Sequence, residues 1–157
     1  MRKSYGPDLR VFLSGLIVHP EMPFLGTSPD AKVLDPHCVY PFGLLEIKCS
    51  FKNNEKTLEE KCKEKDFYLK EEDGKFKLNR NCAQGKLYYS QVQGQLAITG
   101  LPWCDFVVLL SGSGQMAVNR IYFDHDFWIK EMFPKLAEFY HVYAVPHLIV
   151  HARQQHS

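Results

Sequence analysis

Two carboxylates and a lysine stand where they can hold a divalent cation and a phosphate. Asp30 directly follows Ser28-Pro29, and Glu46 with Lys48 lies inside the apolar run Leu44-Leu45-Glu46-Ile47-Lys48-Cys49. Charged side chains in such a run are costly to bury unless something pairs with them, and a metal with a phosphate would do so. Alternate side chains of a strand share a face, so Glu46 and Lys48 point together while Leu45, Ile47 and Cys49 point the other way, into the core. Pro29 makes a break at which Asp30 can be delivered toward a neighbouring strand. Two carboxylates meeting in this way give Mg²⁺ (or Mn²⁺) hard oxygen ligands, with waters and a substrate phosphate completing the shell. Such a metal activates a bound water, and Lys48 beside it orients that water or takes its proton. The same residues also fit a plain Glu46–Lys48 ion pair on the exposed face of an amphipathic strand.

A second segment, Tyr88-Tyr89-Ser90-Gln91, bears on that choice. The pattern predicts a helix over residues 85–99, stopped by Gly100 and Pro102. On it Tyr88, Gln91 and Gln95 fall at i, i+3 and i+7 on one face, while Tyr89, Val92 and Leu96 form a neighbouring apolar stripe. Such a helix suits a polar cleft in which the amides hold a nucleophilic water or a phosphate. A solvated face would ordinarily carry Lys and Glu.

The elements that must position these residues can be read in order. Residues 11–18 are predicted as a strand ending at His19-Pro20, and residues 24–34 as a strand that bends at Pro29. Residues 43–50 give the strongest strand, between Pro41 and the polar Lys52-Asn53-Asn54. The charged stretch 54–65 is a solvated helix or insertion. Asp73-Gly74 turns into a hairpin arm at 76–78. Strands at 103–110 and 116–123 flank a turn at 111–114. Asp124 caps a last helix over 125–143, which Pro134 kinks or divides, and residues from 144 onward show no pattern. This order predicts an α/β fold of the α+β type, a central mixed β-sheet flanked by helices. The 157 residues suit a single domain with its core at about 11–143 and a tail at 144–157.

Composition narrows the class. A net charge of +1 provides no global basic field, although a groove can still be locally positive. No apolar run is long enough to span a membrane, and the N-terminus makes no signal peptide, so residence in the cytoplasm or nucleus is expected. Five irregularly spaced cysteines are read as reduced thiols. The seven histidines form no metal-ligand spacing. Phe123, Phe127, Trp128, Phe133, Phe139 and Tyr140 are expected in the core.

Four segments in order resemble the YqaJ-type viral recombinase family, the lambda-exonuclease-like branch of the PD-(D/E)xK nuclease superfamily. They are Phe24 through Asp30, Gly43 through Cys49, Tyr88 through Leu96, and Trp103 through Val108. Ile121-Tyr122-Phe123-Asp124 through Phe127-Trp128 is similar to the family's closing strand and helix. The resemblance implies a restriction-endonuclease-like core and a Mg²⁺- or Mn²⁺-dependent exonuclease. Such an enzyme degrades one strand of linear double-stranded DNA from its 5′ end, in recombination or repair. It implies that Asp30 and Glu46 are metal-binding carboxylates, that the Ile47 backbone carbonyl is a further ligand, and that Lys48 is the catalytic lysine. It also implies that Gln91 completes the site, with Tyr88 and Gln95 on the substrate side and Ser28 near the substrate phosphate. Partners implied in the same way are DNA ends, further copies of the chain (relatives form rings) and a single-strand annealing protein.

The chain departs from the family at its start. Relatives place a helix before the first strand, bearing a glutamate that helps hold the metal, and only residues 1–10 stand there, with Gly6-Pro7 among them. Glu21 is on the wrong side of the first strand to replace that glutamate. Ala31 stands where relatives have glycine, which stiffens the turn after Asp30. A non-catalytic DNA-binding or scaffold domain, and an endonuclease of the same superfamily, stay open beside the exonuclease.

Overall fold

Apolar and β-branched runs interrupted by Ser14-Gly15 and by Pro29 set the first strands. The structure, a computed structural model, describes residues 8–50 and 56–154, which divide into two units between Phe123 and Asp124. The predicted strand at 11–18 is two strands, β1 (Arg10–Leu13) and β2 (Ile17–Val18). The segment around Pro29 is likewise β3 (Gly26–Thr27) and β4 (Ala31–Leu34). β2 leaves the main sheet at Ser14-Gly15 to pair with β3, whereas β1 pairs antiparallel with β4.

The main sheet has the order β1-β4-β5-β8-β9. β5 (Phe42–Ser50) runs antiparallel to β4 and parallel to β8 (Trp103–Leu110), and β9 (Met116–Tyr122) returns antiparallel along β8. The sheet is therefore mixed, as expected, and the parallel β5–β8 pair needs a crossover. That crossover carries α1 (Leu58–Cys62), the hairpin β6 (Leu69–Glu72)–β7 (Lys75–Leu78), and α2 (Ala83–Thr99). At the hairpin both Asp73 and Gly74 have positive φ, 54° and 68°, the geometry that Asp-Gly favours. Stretch 56–65 is less solvated than its charge suggests. Thr57 and Glu60 form a reciprocal capping box, and Leu58 and Lys61 are buried.

α2 lays its Val92–Leu96 stripe on one face of the sheet, where Leu44, Cys104, Phe106 and Val108 are buried. Glu46 and Lys48 stand on this same face. The expectation that Leu45, Ile47 and Cys49 point into the core is reversed, for Ile47 is 41% exposed, Cys49 is exposed and Leu45 half-buried. The helix that supplies the polar partners also supplies the apolar cover, so the charged face of β5 is its buried one. On the opposite face Trp103 lies against Gly43 and its Nε1 donates to the Tyr40 carbonyl at 2.7 Å.

The second unit is helical. Asp124 caps α3 (His125–Phe127) as expected, accepting from the Phe127 N–H at 3.0 Å. Two wide turns, Trp128–Met132 and Phe139–Ala144, alternate with α4 (Phe133–Glu138) and α5 (Val145–Gln154). Each ends just before an X-Pro pair: the Phe133 N–H reaches the Trp128 carbonyl and the Val145 N–H reaches that of Tyr140, one residue beyond α-helical register. Widening a turn relieves the clash of the Pro134 and Pro146 rings with the preceding carbonyls. Helix therefore continues past residue 143 instead of giving way to a patternless tail. Phe139, expected in the core, is exposed, whereas Trp128 is buried.

A β-carbon at Gly43 would lie 2.3 Å from the Trp103 ring. Gly43→Ala is expected to lower unfolding free energy by about 1–3 kcal/mol, the usual cost of overpacking, read by chemical denaturation.

Candidate active site

Pro29 is buried and ends the β4 ladder, whose last pair with β5 is Ala31 with Leu45. One further step of that register would set Asp30 opposite Glu46, on the same face. Asp30 instead turns its Oδ2 to the Ile47 N–H, at 2.6 Å. In an extended strand the N–H and carbonyl of one residue point to the same side, so the Ile47 carbonyl faces this gap beside Asp30.

Glu46 is 3% exposed and accepts hydrogen bonds from three side chains. Lys48 Nζ at 2.6 Å and Gln91 Nε2 at 2.7 Å both donate to Oε1. Gln95 Nε2 donates to Oε2 at 2.7 Å. Helical spacing brings the two glutamines, one turn apart, onto the same carboxylate. Their positions differ in depth. Gln91 is on the exposed side and Lys48 half-buried, whereas Gln95 is 2% exposed and its Oε1 has no hydrogen-bond partner. The sequence places Gln95 on the substrate side; its burial behind Glu46 removes it from that surface and makes it a support for the carboxylate.

Tyr88 packs beneath Lys48, whose Nζ lies 4.8 Å from the ring centroid. The Tyr88 hydroxyl accepts from Gln84 at 2.8 Å, and its ring meets Phe106 and Tyr68 at 5.6 and 5.0 Å. Burial, with Tyr88 nearby, pushes the Tyr68 phenol up to about 12. Cys104 lies under this face. Burial, followed by the charges of Glu46, Asp105 and Asp30, holds its thiol well above the ordinary range. Ser28 is exposed two residues before Asp30. Asp30, Glu46, Ile47, Lys48, Tyr88, Gln91 and Gln95 thus form one neighbourhood, as the sequence suggests.

A second ionic cluster, on the other face, has no counterpart in the sequence reading. Asp105, 2% exposed, sits directly across from Arg120 and takes Nε and Nη2 at 2.8 Å each. Arg120 Nη1 donates to Cys38 Sγ at 2.7 Å, Nη2 reaches Asp35 at 3.3 Å, and the guanidinium lies 3.7 Å from the Trp103 ring. The Cys38 thiol, then the His37 N–H and Arg120, hold the Asp35 carboxyl below its usual value against partial burial. This cluster ties loop 35–41 to the sheet. Its signal in sequence is an acid inside Trp103–Leu110 matched by an arginine inside Met116–Tyr122.

Two carboxylates and a backbone carbonyl are hard oxygen donors, suited to Mg²⁺ or Mn²⁺. Lys48 balances one carboxylate, and like charges opposed across strands call for a second positive charge. Among the described residues no group of three His, Cys, Asp or Glu side chains is placed to hold a metal.

Residues 2–102 match the family described as the YqaJ-like viral recombinase domain. Among solved structures, an alkaline exonuclease, LHK-Exo, from Laribacter hongkongensis is 26% identical with a TM-score of 0.56, over 94% of this chain and 62% of that one. LHK-Exo in complex with dAMP gives 27% identity, the same TM-score and the same coverage. The chain thus spans 62% of the length of those exonuclease chains. No curated protein sequence matches.

Cys104 is buried beneath Glu46 and Cys49 is exposed. In the folded protein at pH 8, iodoacetamide is expected to label Cys49 and to leave Cys104 unmodified until denaturant is added. Peptide mass mapping reads the difference, and prompt labelling of Cys104 would show that the face under Glu46 is open.

Proposed function

We propose, from the premise that this chain belongs to the YqaJ-like viral recombinase domain family, that it is a metal-dependent exonuclease on linear double-stranded DNA. We assign attack from the 5′ end in recombination or repair. The observation that carries the reading is the buried Glu46 carboxylate, held by Lys48, Gln91 and Gln95 beside Asp30. A carboxylate so deeply placed, with donors on both oxygens, is costly to assemble for stability alone. The alkaline exonuclease relative, and its complex with dAMP, support a DNA substrate.

In this reading Asp30, Glu46 and the Ile47 carbonyl would hold Mg²⁺ or Mn²⁺. When bound, the cation supplies charge to the phosphate and lowers the pKa of a water. Gln95 keeps Glu46 Oε2 fixed from the buried side. Lys48 and Gln91 approach Oε1 from the accessible side, where they can exchange the carboxylate for the phosphate or the attacking water. Tyr88 limits the movement of the Lys48 ammonium by lying under it. Ser28, exposed just before Asp30, is free to contact the substrate phosphate. A DNA-binding domain that keeps the fold without cutting is the second reading, favoured by the lack of a third acidic side chain among the described residues.

End-labelled linear duplex and covalently closed circles, with Mg²⁺ or with chelator, test the proposal. The wild type is expected to degrade linear DNA alone, only with metal, and Lys48→Ala to lose about 10²–10³-fold in rate, as for loss of a charge-stabilising group. Full activity in Lys48→Ala would sink the assignment. Cutting of the circle would mark an endonuclease, and salt-sensitive binding without cutting would favour the second reading.

Gln95→Met preserves volume but removes the donor to Glu46. It is expected to weaken Mn²⁺ binding by about 10–100-fold, the usual effect of losing a partner that orients a metal ligand. Calorimetric titration with Mn²⁺ checks this, with Glu46→Gln as the reference for loss of the site.

A further inference from the structure

Tyr88, Phe106 and Tyr68 meet beside the Lys48 ammonium, and they come from three different parts of the chain. Tyr88, on α2, has Lys48 Nζ over its ring at 4.8 Å. Phe106, on β8, stands opposite Glu46 in register, is fully buried and meets the Tyr88 ring at 5.6 Å. Tyr68 belongs to the crossover, just before β6, and meets Tyr88 at 5.0 Å. Tyr68 is 7% exposed whereas Tyr88 is half-buried, so the deeper ring supports the shallower one.

A tyrosine in a helix has two accessible χ1 wells, and they send its ring to different places. Neighbouring side chains decide between them. Phe106 and Tyr68 close on the Tyr88 ring with planes inclined at 43° and 89°, a directional contact that an aliphatic side chain cannot reproduce. The ring face that Tyr88 turns to Lys48 carries the negative potential of its π-system and attracts the ammonium. Without that face, the long stem of a lysine leaves its head group many positions to choose from.

Tyr68 is itself well anchored. Its carbonyl accepts from the Asn79 N–H at 2.8 Å, and the Phe67 carbonyl accepts from Asn79 Nδ2 at 3.1 Å. The Cys82 thiol, at the start of α2, donates to the same Phe67 carbonyl at 3.5 Å. The Phe67 ring, also buried, packs on that of Tyr68 at 4.7 Å. Residues 67 and 68 are thus tied to the segment that opens α2, the helix that also bears Tyr88, Gln91 and Gln95.

We propose that Tyr68 is a positioning residue of the Glu46 site, which acts through the Tyr88 ring to keep the Lys48 ammonium beside Glu46 Oε1. The inference rests on the reading of Lys48 as the group that meets the phosphate and the attacking water, and it adds a residue that touches neither. Protein carrying ¹³C-labelled lysine tests it by NMR, since protons held over an aromatic ring are displaced upfield. The Lys48 ε-methylene signal is identified by its absence from Lys48→Arg. In the wild type it is expected upfield of the exposed lysines, with the displacement lost in Tyr88→Leu. Tyr68→Leu is expected to lose it too, and Tyr68→Phe, which keeps the ring, to retain it. Tyr68→Met fills the same space with a flexible chain and is expected to match Tyr68→Leu. A displacement retained in either of these variants when folded would overturn the proposal, as would its loss in Tyr68→Phe. In hydrolysis of linear duplex, Tyr68→Leu is expected to lower kcat by about 10–100-fold with KM little changed, as for a small misplacement of a positioned group, and Tyr68→Phe to recover it. Unchanged kcat in a variant that has lost the displacement would overturn the link to the reaction. Wild-type protein that shows the displacement but cuts no DNA would instead sink the nuclease reading, and leave the hold of Tyr68 on Lys48 standing.

Discussion

The first unit is organised around one ionised side chain taken out of water. Glu46 lies under α2 in the middle strand of the five-stranded sheet, and a carboxylate at that depth is unfavourable by several kcal/mol unless hydrogen bonds replace its hydration. Three donors do so, one from its own strand and two from the helix. This requirement fixes much else. α2 must present residues 91 and 95 toward β5, which turns Val92 and Leu96 onto the neighbouring apolar surface of β8. Gly85 at the helix start has Asn79 so close that a β-carbon would sit 1.9 Å from its carbonyl oxygen, so the helix enters at one fixed place. Gly100, with φ of 68°, ends it where the chain must turn into β8.

The sheet is ionic on both faces, and the two clusters differ in kind. Asp105 and Arg120 form a bidentate cross-strand pair with a tryptophan over the guanidinium, and every strong group in it has a partner within the protein. Such a pair holds the 35–41 loop and the β8–β9 register. The cluster on the α2 face is less complete: Asp30 has one backbone N–H, Lys48 is shared between a carboxylate and an aromatic ring, and Gln95 Oε1 has no partner. Buried polar groups are nearly always satisfied, so each exception calls for a physical reason. The sheet thus carries one closed ionic cluster and one open one, and the open one is the face that the proposed function uses.

Legibility in the sequence followed the range of the interaction that decided each feature. Period two in β5 and the three- and four-residue spacing in α2 are local, so Glu46 with Lys48 on one face of the strand, and Tyr88 with Gln91 on one face of the helix, could be read directly. That the two faces meet beside Asp30 was implied only by the family resemblance. The Asp73-Gly74 hairpin and the Gly100 stop were equally local. Which face of β5 is buried is not local. It depends on where α2 docks, and Ile47 and Cys49 look like core residues until that is known. Asp105 and Arg120 are 15 residues apart with a turn between, and their pairing needs the β8–β9 register. The wide turns before Pro134 and Pro146 escaped for a different reason: proline announces a conflict in a helix but not the way the chain resolves it.

The two oxygens of Glu46 are therefore unequal by construction. Oε2 meets a side chain that is almost wholly buried, so exchanging that bond for another would open the interior. Oε1 meets two donors that border solvent, a half-buried lysine held over Tyr88 and an exposed glutamine, so a group arriving from solvent can replace them without opening the interior. A cation or phosphate arriving from solvent competes only for the second pair. One carboxylate can in this way be both a fixed point of the fold and an adaptable ligand, with the division made by depth along a single helix face. That asymmetry explains why two glutamines, and not one, are aimed at the same carboxylate. It also explains why the deeper of the two carries an amide oxygen with nothing to bond: its orientation is set by the charge it faces, and the unpaired oxygen is the consequence.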